Sequence, residues 1–433
     1  MATLITALEA HDVRFPTSRL LDGSDAMNPD PDYSAAYVVL RTTTPGLDGH
    51  GLTFTIGRGN DLCVAAARAM AQQVIGADVD ALFADMGGLS RRLLGESQMR
   101  WLGPEKGVVH LAAAAIINAV WDLIAKHHAK PVWQLVADMT PAELLTALDL
   151  RHITDAVPHG EALALLTDRS RGKQARQQQL VSEGYPAYTT SAGWLGYPDH
   201  KITALTRAAM ADGWNAIKIK VGRSLDDDLR RCELIRGILG PSGRLMVDAN
   251  QVWEVDQAIT WIEALRPFGL YWVEEPVHPD DILGHRRIIE AAGSVRIATG
   301  EHCHNRVMFK QFLQAGAIDV VQLDPCRLAG LSEAMAVLLL ATRFDRPACP
   351  HAGGVGLCEV AQHVSMIDFL CFSGRLDDRM TEHAGHLHEH FVTPIEIDRG
   401  RYRAPRVPGI HLEMHAASVA AHRYPDGAVW QQG

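Results

Sequence analysis

Three carboxylates in this chain are placed to hold a metal ion. Asp248, Glu274 and Glu301 close the apolar runs of RLMVDANQ, LYWVEEP and RIATGEH. They lie 26 and 27 residues apart, one strand-plus-helix unit each time. Parallel strands joined by crossover helices put their C-terminal ends on one face, so the three acids are expected to converge there. A set of three carboxylates without sulfur or imidazole suits a hard divalent cation, Mg²⁺ before Zn²⁺. The plain alternative is three separate acids, each capping the helix that follows. The matched spacing argues against it.

Other strand ends carry groups that move protons. Lys218 and Lys220 in K-I-K sit two residues apart and share one face of a strand. Neighbouring ammonium groups repel, so each is expected to lose its proton more easily, and one so poised can serve as a general base. A pair of structural, ion-paired lysines is the other reading. Asn250 follows Asp248 by two residues and is expected to share its face, where it can hydrogen-bond an oxygen ligand or orient a neighbour. Asp324 ends a sixth strand and His351 a seventh. A carboxylate that orients an imidazole raises its basicity. Glu382, after an eighth strand, is a candidate partner for substrate. Together these groups allow one chemistry. A cation chelates a carboxylate substrate and stabilises the enediolate left when its α-proton is removed. Lysine stands on one face and the His–Asp pair on the other.

A repeated unit must position these groups. From Tyr185 the runs PAYTTSAGW, AIKIKVG, LMVDAN, YWVEEP, RIATGE, VVQLDP, PACPHAG and FLCFSG alternate with helical patterns. That alternation predicts a (β/α) barrel, whose reactive groups gather at the C-terminal ends of the strands. No G-x-G-x-x-G follows the first strand, which argues against a doubly wound dinucleotide fold.

Ahead of the barrel, residues 3–14, 36–43 and LTFTIGRG read as an antiparallel meander. Its first two strands are separated by LLDGSDAMNPDPDYS (20–34), a long loop that is a candidate lid or binding segment. Asp61 is expected to cap a helix over LCVAAARAMAQQVIG, DALFADMGGLSRRLLG reads as a second helix, and the Ala-rich run 105–126 as a buried third. Residues 140–185 read as a polar excursion on the surface. After residue 391, PIEIDRGRYRAP and HLEMHAASVAAHRY are expected to return to the first domain. The expected units are thus 1–180, 181–390 and 391–433.

Composition bounds the partners. A chain of 433 residues needs more than one core, and a net charge of −10 argues against nucleic acid or an acidic membrane surface. The apolar stretch from Gly107 to Trp121 is short of a membrane span, and no secretory signal is read at the start. Seven cysteines without a C-x-x-C read as reduced thiols of a cytoplasmic protein. HAGGVGL lacks the Lys-Ser/Thr ending of a phosphate loop and reads as a turn feeding a helix. The group His383, His386, His388 and His390 lacks a zinc frame and reads as a polar loop near the substrate side.

In order and strand position, K-I-K, the acids at 248, 274 and 301, and Asp324 with His351 resemble the mandelate racemase subgroup of the enolase superfamily. Within it, the 20s loop, MVDANQVWEV, VEEPVHPDDILGH, ATGEHCHNRVMFKQFLQAGAIDVVQLD, CPHAGGVGLCE and TEHAGHLHEHF are similar to the L-fuconate dehydratases. The resemblance implies an α/β fold, a modified TIM (β/α) barrel with an N-terminal α+β capping domain completed by the C-terminal segment. It implies Mg²⁺ on Asp248, Glu274 and Glu301, with Lys220 removing the C2 proton of an acid sugar. His351, supported by Asp324, would protonate the departing 3-hydroxyl, and the product would be a 2-keto-3-deoxy acid. Lys218, Asn250, Glu301 and Glu382 would contact the substrate, and Ser24 and Asp25 its distal hydroxyls. It further implies L-fuconate as substrate and a homo-oligomer. Racemisation or epimerisation on the same groups, and a catalytically silent Mg²⁺-binding barrel, stay open as alternatives.

Overall fold

The computed structural model describes residues 2–431. The chain opens with an antiparallel sheet of β1 (Ile5–Arg14), β2 (Ser34–Thr42) and β3 (Gly49–Thr55), in that order. The helix Gly107–His127 lies on β3. Gly51 permits the approach, because a Cβ there would stand 2.1 Å from the Ala115 carbonyl oxygen. By length and composition this 21-residue helix could cross a membrane, which corrects the shorter stretch expected from sequence, but 83% of its apolar window is buried within the protein. A helix that is apolar nearly all round belongs in such a position.

Two helix boundaries differ from expectation. Gly59 precedes the helix Asn60–Met70, so Asp61 sits in its first turn and does not cap it. Asp85 divides the expected second helix into Val79–Ala84 and Met86–Gly95, its Oδ1 accepting from Gly88 N at 2.8 Å. The polar excursion folds as helices Pro141–Thr146, His159–Ser170 and Lys173–Glu183. It is fastened to the flank of the second domain, where Arg169 and Arg176 donate to the carbonyls of Phe372 and Leu370 at 3.0 and 2.9 Å.

The second domain is built on parallel strands β4 (Tyr185–Thr189), β5 (Ala216–Lys220), β6 (Arg244–Asp248), β7 (Leu270–Glu274), β8 (Arg296–Thr299) and β9 (Val320–Val321). At the seventh position the chain makes only a single bridge, Ala348 to Val321. β10 (Thr381–His383) then pairs in parallel with β4 and closes the barrel. The run FLCFSG is therefore not the eighth strand. With Asp368 before it, its first four residues continue the helix Leu357–Ile367 as a wider turn over Asp368–Phe372, with Phe369, Leu370, Cys371 and Phe372 buried. A short apolar run fits a buried helix as well as a strand. Below the mouth, Tyr188, Met246, Trp272 and Met380 fill the barrel.

The final segment divides its allegiance, which corrects a simple return to the first domain. β11 (Ile397–Asp398) and β12 (Arg401–Tyr402) form a hairpin, and β12 pairs antiparallel with β4 of the barrel. Beyond it the chain does go back: Met414 N donates to the Tyr37 hydroxyl at 3.1 Å, and Tyr424 N to the Asp12 carbonyl at 2.9 Å.

A buried ionic cluster welds the domains. Arg306 donates to Glu105, Glu333 and Asp149 at 2.9, 2.9 and 3.1 Å, and His110 lies 2.7 Å from the other oxygen of Glu333. Nearby, Asn118 Nδ2 donates to the Pro325 carbonyl at 3.1 Å, directly behind the end of the sixth strand.

Candidate active site

Strand register puts the reactive groups at one level. Lys220 stands opposite Asp248 across the β5–β6 ladder, and Asp248 opposite Glu274 across β6–β7. Glu301 follows β8 by two residues and completes the set. One oxygen from each of Asp248, Glu274 and Glu301 lies within 4.8 Å of the others, and all three residues are buried.

The proton-moving groups flank this triad. Lys220 Nζ donates to Asp248 Oδ2 at 2.6 Å. Lys218 Nζ bridges Glu274 Oε1 at 2.6 Å and Glu382 Oε1 at 2.9 Å. Across the mouth, His351 Nδ1 lies 2.8 Å from Asp324 Oδ2, and His351 Nε2 lies 3.3 Å from Glu301 Oε2. The Asp324 bond turns Nε2 toward the triad. Glu382 Oε2 also accepts from Ala352 N at 2.9 Å, which ties the closing strand to the His351 turn.

The electrostatics correct one expectation. Burial disfavours charge on Lys218 and Lys220, but Glu274, Glu382 and Asp248 outweigh it and hold both ammonium groups above their ordinary range. The repulsion between the lysines is the smaller effect, because each stands nearer to an acid than the argument from K-I-K allowed. His351 is pushed up to about 9, against burial, by Glu301 and by its bond to Asp324. Glu274 is pushed up to about 8, chiefly by burial and by the neighbouring acids.

A carboxyl so reluctant to ionise beside two further acids is what a divalent cation would relieve. The donors fit one. They are all oxygen; Asn250 Oδ1 is buried without a hydrogen-bond partner, and Glu301 Oε2 has only its 3.3 Å ionic contact with His351 Nε2. Such a set favours Mg²⁺ chemistry over zinc.

The remaining candidates are placed as follows. Asn250 lies beyond the end of β6 with φ +46°, so it does not share a strand face with Asp248 as expected; its N–H donates to Asp248 Oδ1 at 2.9 Å. Asp25 is buried, its Oδ1 accepting from Met27 N and Asn28 N at 2.8 and 2.6 Å, and burial raises its carboxyl while Lys220 lowers it. Ser24 Oγ donates to the Pro29 carbonyl at 2.7 Å, within its own loop. The four histidines of the 383–390 segment do not converge on a metal. His388 binds Glu359 at 2.7 Å, His383 stacks on His388, His390 lies 3.0 Å from Ser418 Oγ, and His386 stacks on Tyr33.

Sequence reasoning missed several residues. Gln322 Nε2 donates to Glu274 Oε2 at 2.6 Å, and Trp272 Nε1 to the same oxygen at 3.1 Å. Gln322 was findable, since it precedes Asp324 by two residues. Glu275 packs behind Glu301, where His302 and Gln251 reach it at 2.9 Å each. Trp194 covers Lys220, its ring centroid 5.6 Å from Nζ.

A capped barrel with this acid triad and flanking lysine and histidine defines a class, and the chain belongs to the enolase superfamily, in its mandelate racemase subgroup, among acid-sugar dehydratases and racemases. Residues 201–418 match the family "Enolase C-terminal domain-like", and residues 30–137 the "Mandelate racemase / muconate lactonizing enzyme, N-terminal domain". The chain is 51% identical to mitochondrial enolase superfamily member 1 of Xenopus laevis, over 99% of this chain and 97% of that one. It is 48% identical to the L-galactonate dehydratase of Hypocrea jecorina, over 98% and 96%. The crystal structure of the human mitochondrial enolase superfamily member 1 superposes with a TM-score of 0.98 at 49% identity, covering 100% and 98%.

Proposed function

We propose that this protein dehydrates an acid sugar of L-galacto configuration with Mg²⁺, giving the 2-keto-3-deoxy acid and water. The observation that carries the reading is the placement of Lys220 and His351 on opposite flanks of one carboxylate triad. The resemblance of the motifs points to L-fuconate, and the L-galactonate dehydratase relative bears the name of a sugar acid with the same centres at C2 to C5. L-fuconate is its 6-deoxy form, so one site geometry serves both. We propose L-fuconate as the preferred substrate.

Asp248, Glu274 and Glu301 would hold Mg²⁺, which when bound offsets the acids' charge and draws negative charge onto the substrate carboxylate. Lys218 would donate to that carboxylate at the closing seam, with Glu382 holding the lysine in place. With the Asp248 charge that holds its ammonium proton offset, Lys220 Nζ would give that proton up and, as the free amine, take the C2 proton. His351 Nε2 delivers a proton to the 3-hydroxyl as it departs as water, while Asp324 holds Nδ1–H and keeps the ring aimed. The resulting enol ketonises. Trp194, stacked over Lys220, keeps water from the proton in transit.

Acid sugars supplied with Mg²⁺ and scored for a 2-keto-3-deoxy product test the reading. L-fuconate and L-galactonate are expected to react and their C2 epimers to lag. Solvent deuterium entering C2 without keto product would establish racemase or epimerase chemistry instead. We further propose that the enzyme works as a homo-oligomer, which light scattering checks. A cytoplasmic site rests on the seven free, buried cysteines; relatives named mitochondrial make organelle fractionation the deciding measurement.

A further inference from the structure

The loop between β1 and β2 carries Ser24 and Asp25 toward the barrel mouth, and the β4–α connection fastens it there. Tyr197, in the β4–α connection, donates its hydroxyl to Asp22 Oδ1. Lys201, in the first turn of the helix Asp199–Ala211, lies with Nζ 3.4 Å from the Tyr197 ring centroid and 4.0 Å from the same Asp22 oxygen. The backbone joins in, Leu195 N donating to the Ser24 carbonyl at 2.9 Å. Gly196, at φ +86°, leaves room for Leu21, whose Cδ1 would stand 2.9 Å from a Cβ. The neighbour of this fastening in sequence is Trp194, the residue that covers Lys220.

Gly23, Ser24 and Asp25 are buried at the centre of the loop, but its outer side has little to hold it closed. Leu20, Leu21 and Met27 are 68%, 37% and 49% exposed, so apolar burial does not anchor its outer side. Leu21 itself adopts φ +59°, a strained conformation for a branched side chain. Tyr197 is buried, and burial together with the Asp22 carboxylate keeps its phenol protonated and donating.

We propose that Asp22, Tyr197 and Lys201 form a latch that holds the β1–β2 loop shut over the acid sugar. Tyr197 and Lys201 are positioning residues: they touch the loop and act on substrate through Ser24 and Asp25. The chemistry at C2 and C3 does not pass through them. Opening the latch draws Ser24 and Asp25 off the mouth and exposes Trp194, which is the path for product to leave. The inference deepens the proposed function and rests on it for the identity of the ligand.

The test uses the full chain and its Tyr197→Phe and Lys201→Met variants. Two readouts are taken. The first is the rate of limited chymotryptic cleavage at Leu20–Leu21 in the free protein. The second is the KM and kcat for L-fuconate and L-galactonate. Tyr197→Phe, which removes one hydroxyl, is expected to raise the cleavage rate about tenfold. KM is expected to rise about fivefold to tenfold with kcat unchanged or higher. Lys201→Met is expected to give a smaller shift in the same direction. Cleavage and KM both unchanged in Tyr197→Phe would overturn the latch. A fall in kcat with KM unchanged would overturn it too, by assigning Tyr197 to the chemistry. If the unaltered chain turns over neither sugar, the functional reading fails, and the cleavage rates still decide the latch.

Discussion

Lys220 and His351 address one carboxylate set through different members: Lys220 Nζ lies 2.6 Å from Asp248 Oδ2, and His351 Nε2 lies 3.3 Å from Glu301 Oε2. On the proposed function, a substrate carbon between them would face a base on one side and an acid on the other. The two groups are therefore separable by mutation.

Lys220→Ala removes the base and leaves the triad in place. Turnover is expected to fall about 10²-fold to 10⁴-fold, the usual range for a general base. Mg²⁺ binding, read by calorimetry, is expected to persist. Normal dehydration by this variant would sink the assigned role.

His351→Asn removes the acid and leaves the base. Dehydration is expected to fall at least about 10²-fold, while Lys220 continues to exchange the C2 hydrogen with solvent. Deuterium uptake at C2 of recovered L-fuconate, followed by mass spectrometry, checks this. Loss of exchange along with dehydration would mean that His351 also sets the geometry of proton removal.

Mg²⁺ is expected to stabilise the fold as well as activate it. A ligand that binds only the native state at a hundred times its Kd adds about 2.7 kcal/mol. Thermal melts with Mg²⁺ and with a chelator are expected to separate for the natural chain and to coincide for Glu274→Gln.

Arg306→Met tests the weld between the domains. The substitution leaves Glu105, Asp149 and Glu333 crowded and without their shared cation. Removing one partner of a buried ionic cluster costs about 3–5 kcal/mol. Denaturant unfolding is expected to show that loss. A change within about 0.5 kcal/mol would show that the acids take up protons instead.

Asp228 provides a pH test away from the metal ligands. Burial pushes its carboxyl up to about 6 from an ordinary 3.8, although Gly222 N and Trp261 Nε1 donate to Oδ2. A folded value above the unfolded one means that the native state holds the proton more tightly. The associated stability is full below about pH 4 and is lost as pH rises through about 6, by on the order of 2 kcal/mol. Asp228→Asn is expected to flatten that decline and to be more stable than the natural chain at pH 7.5. Unfolding curves at pH 5 and pH 7.5 measure it.

The sequence was most legible where chemistry and period coincided. Asp248, Glu274 and Glu301 could be read because each ends a strand of the same repeat, and the register of β5, β6 and β7 then aligns them with Lys220. The far side of the barrel was harder. Its strands shrink to two residues at β9 and to one bridge at Ala348, too short for alternation to show. FLCF was misread because four apolar residues carry no period that separates a strand from a buried helical turn. Glu275 was invisible for a different reason: its partners His302 and Gln251 come from neighbouring units, so no local pattern announces it. The lysine charge states were misjudged because repulsion within K-I-K can be read along the chain, whereas the attraction of Asp248 and Glu274 arises across it.

The barrel closes through three residues, with Glu382 in the middle of the closing strand and the Tyr402 hydroxyl donating to its carbonyl. Glu382 is also the second counter-ion of Lys218, whose first, Glu274, stands on β7. The charge balance of the site is thus completed only when Lys218 and Glu382, 382 − 218 = 164 residues apart, meet. A nascent chain that has not yet emerged past Thr381 has all three acids of the triad but lacks the second counter-ion of Lys218. The same short strand thus seals the cylinder and balances its charge, so a chain cut before it would present the acid triad beside an incompletely paired lysine.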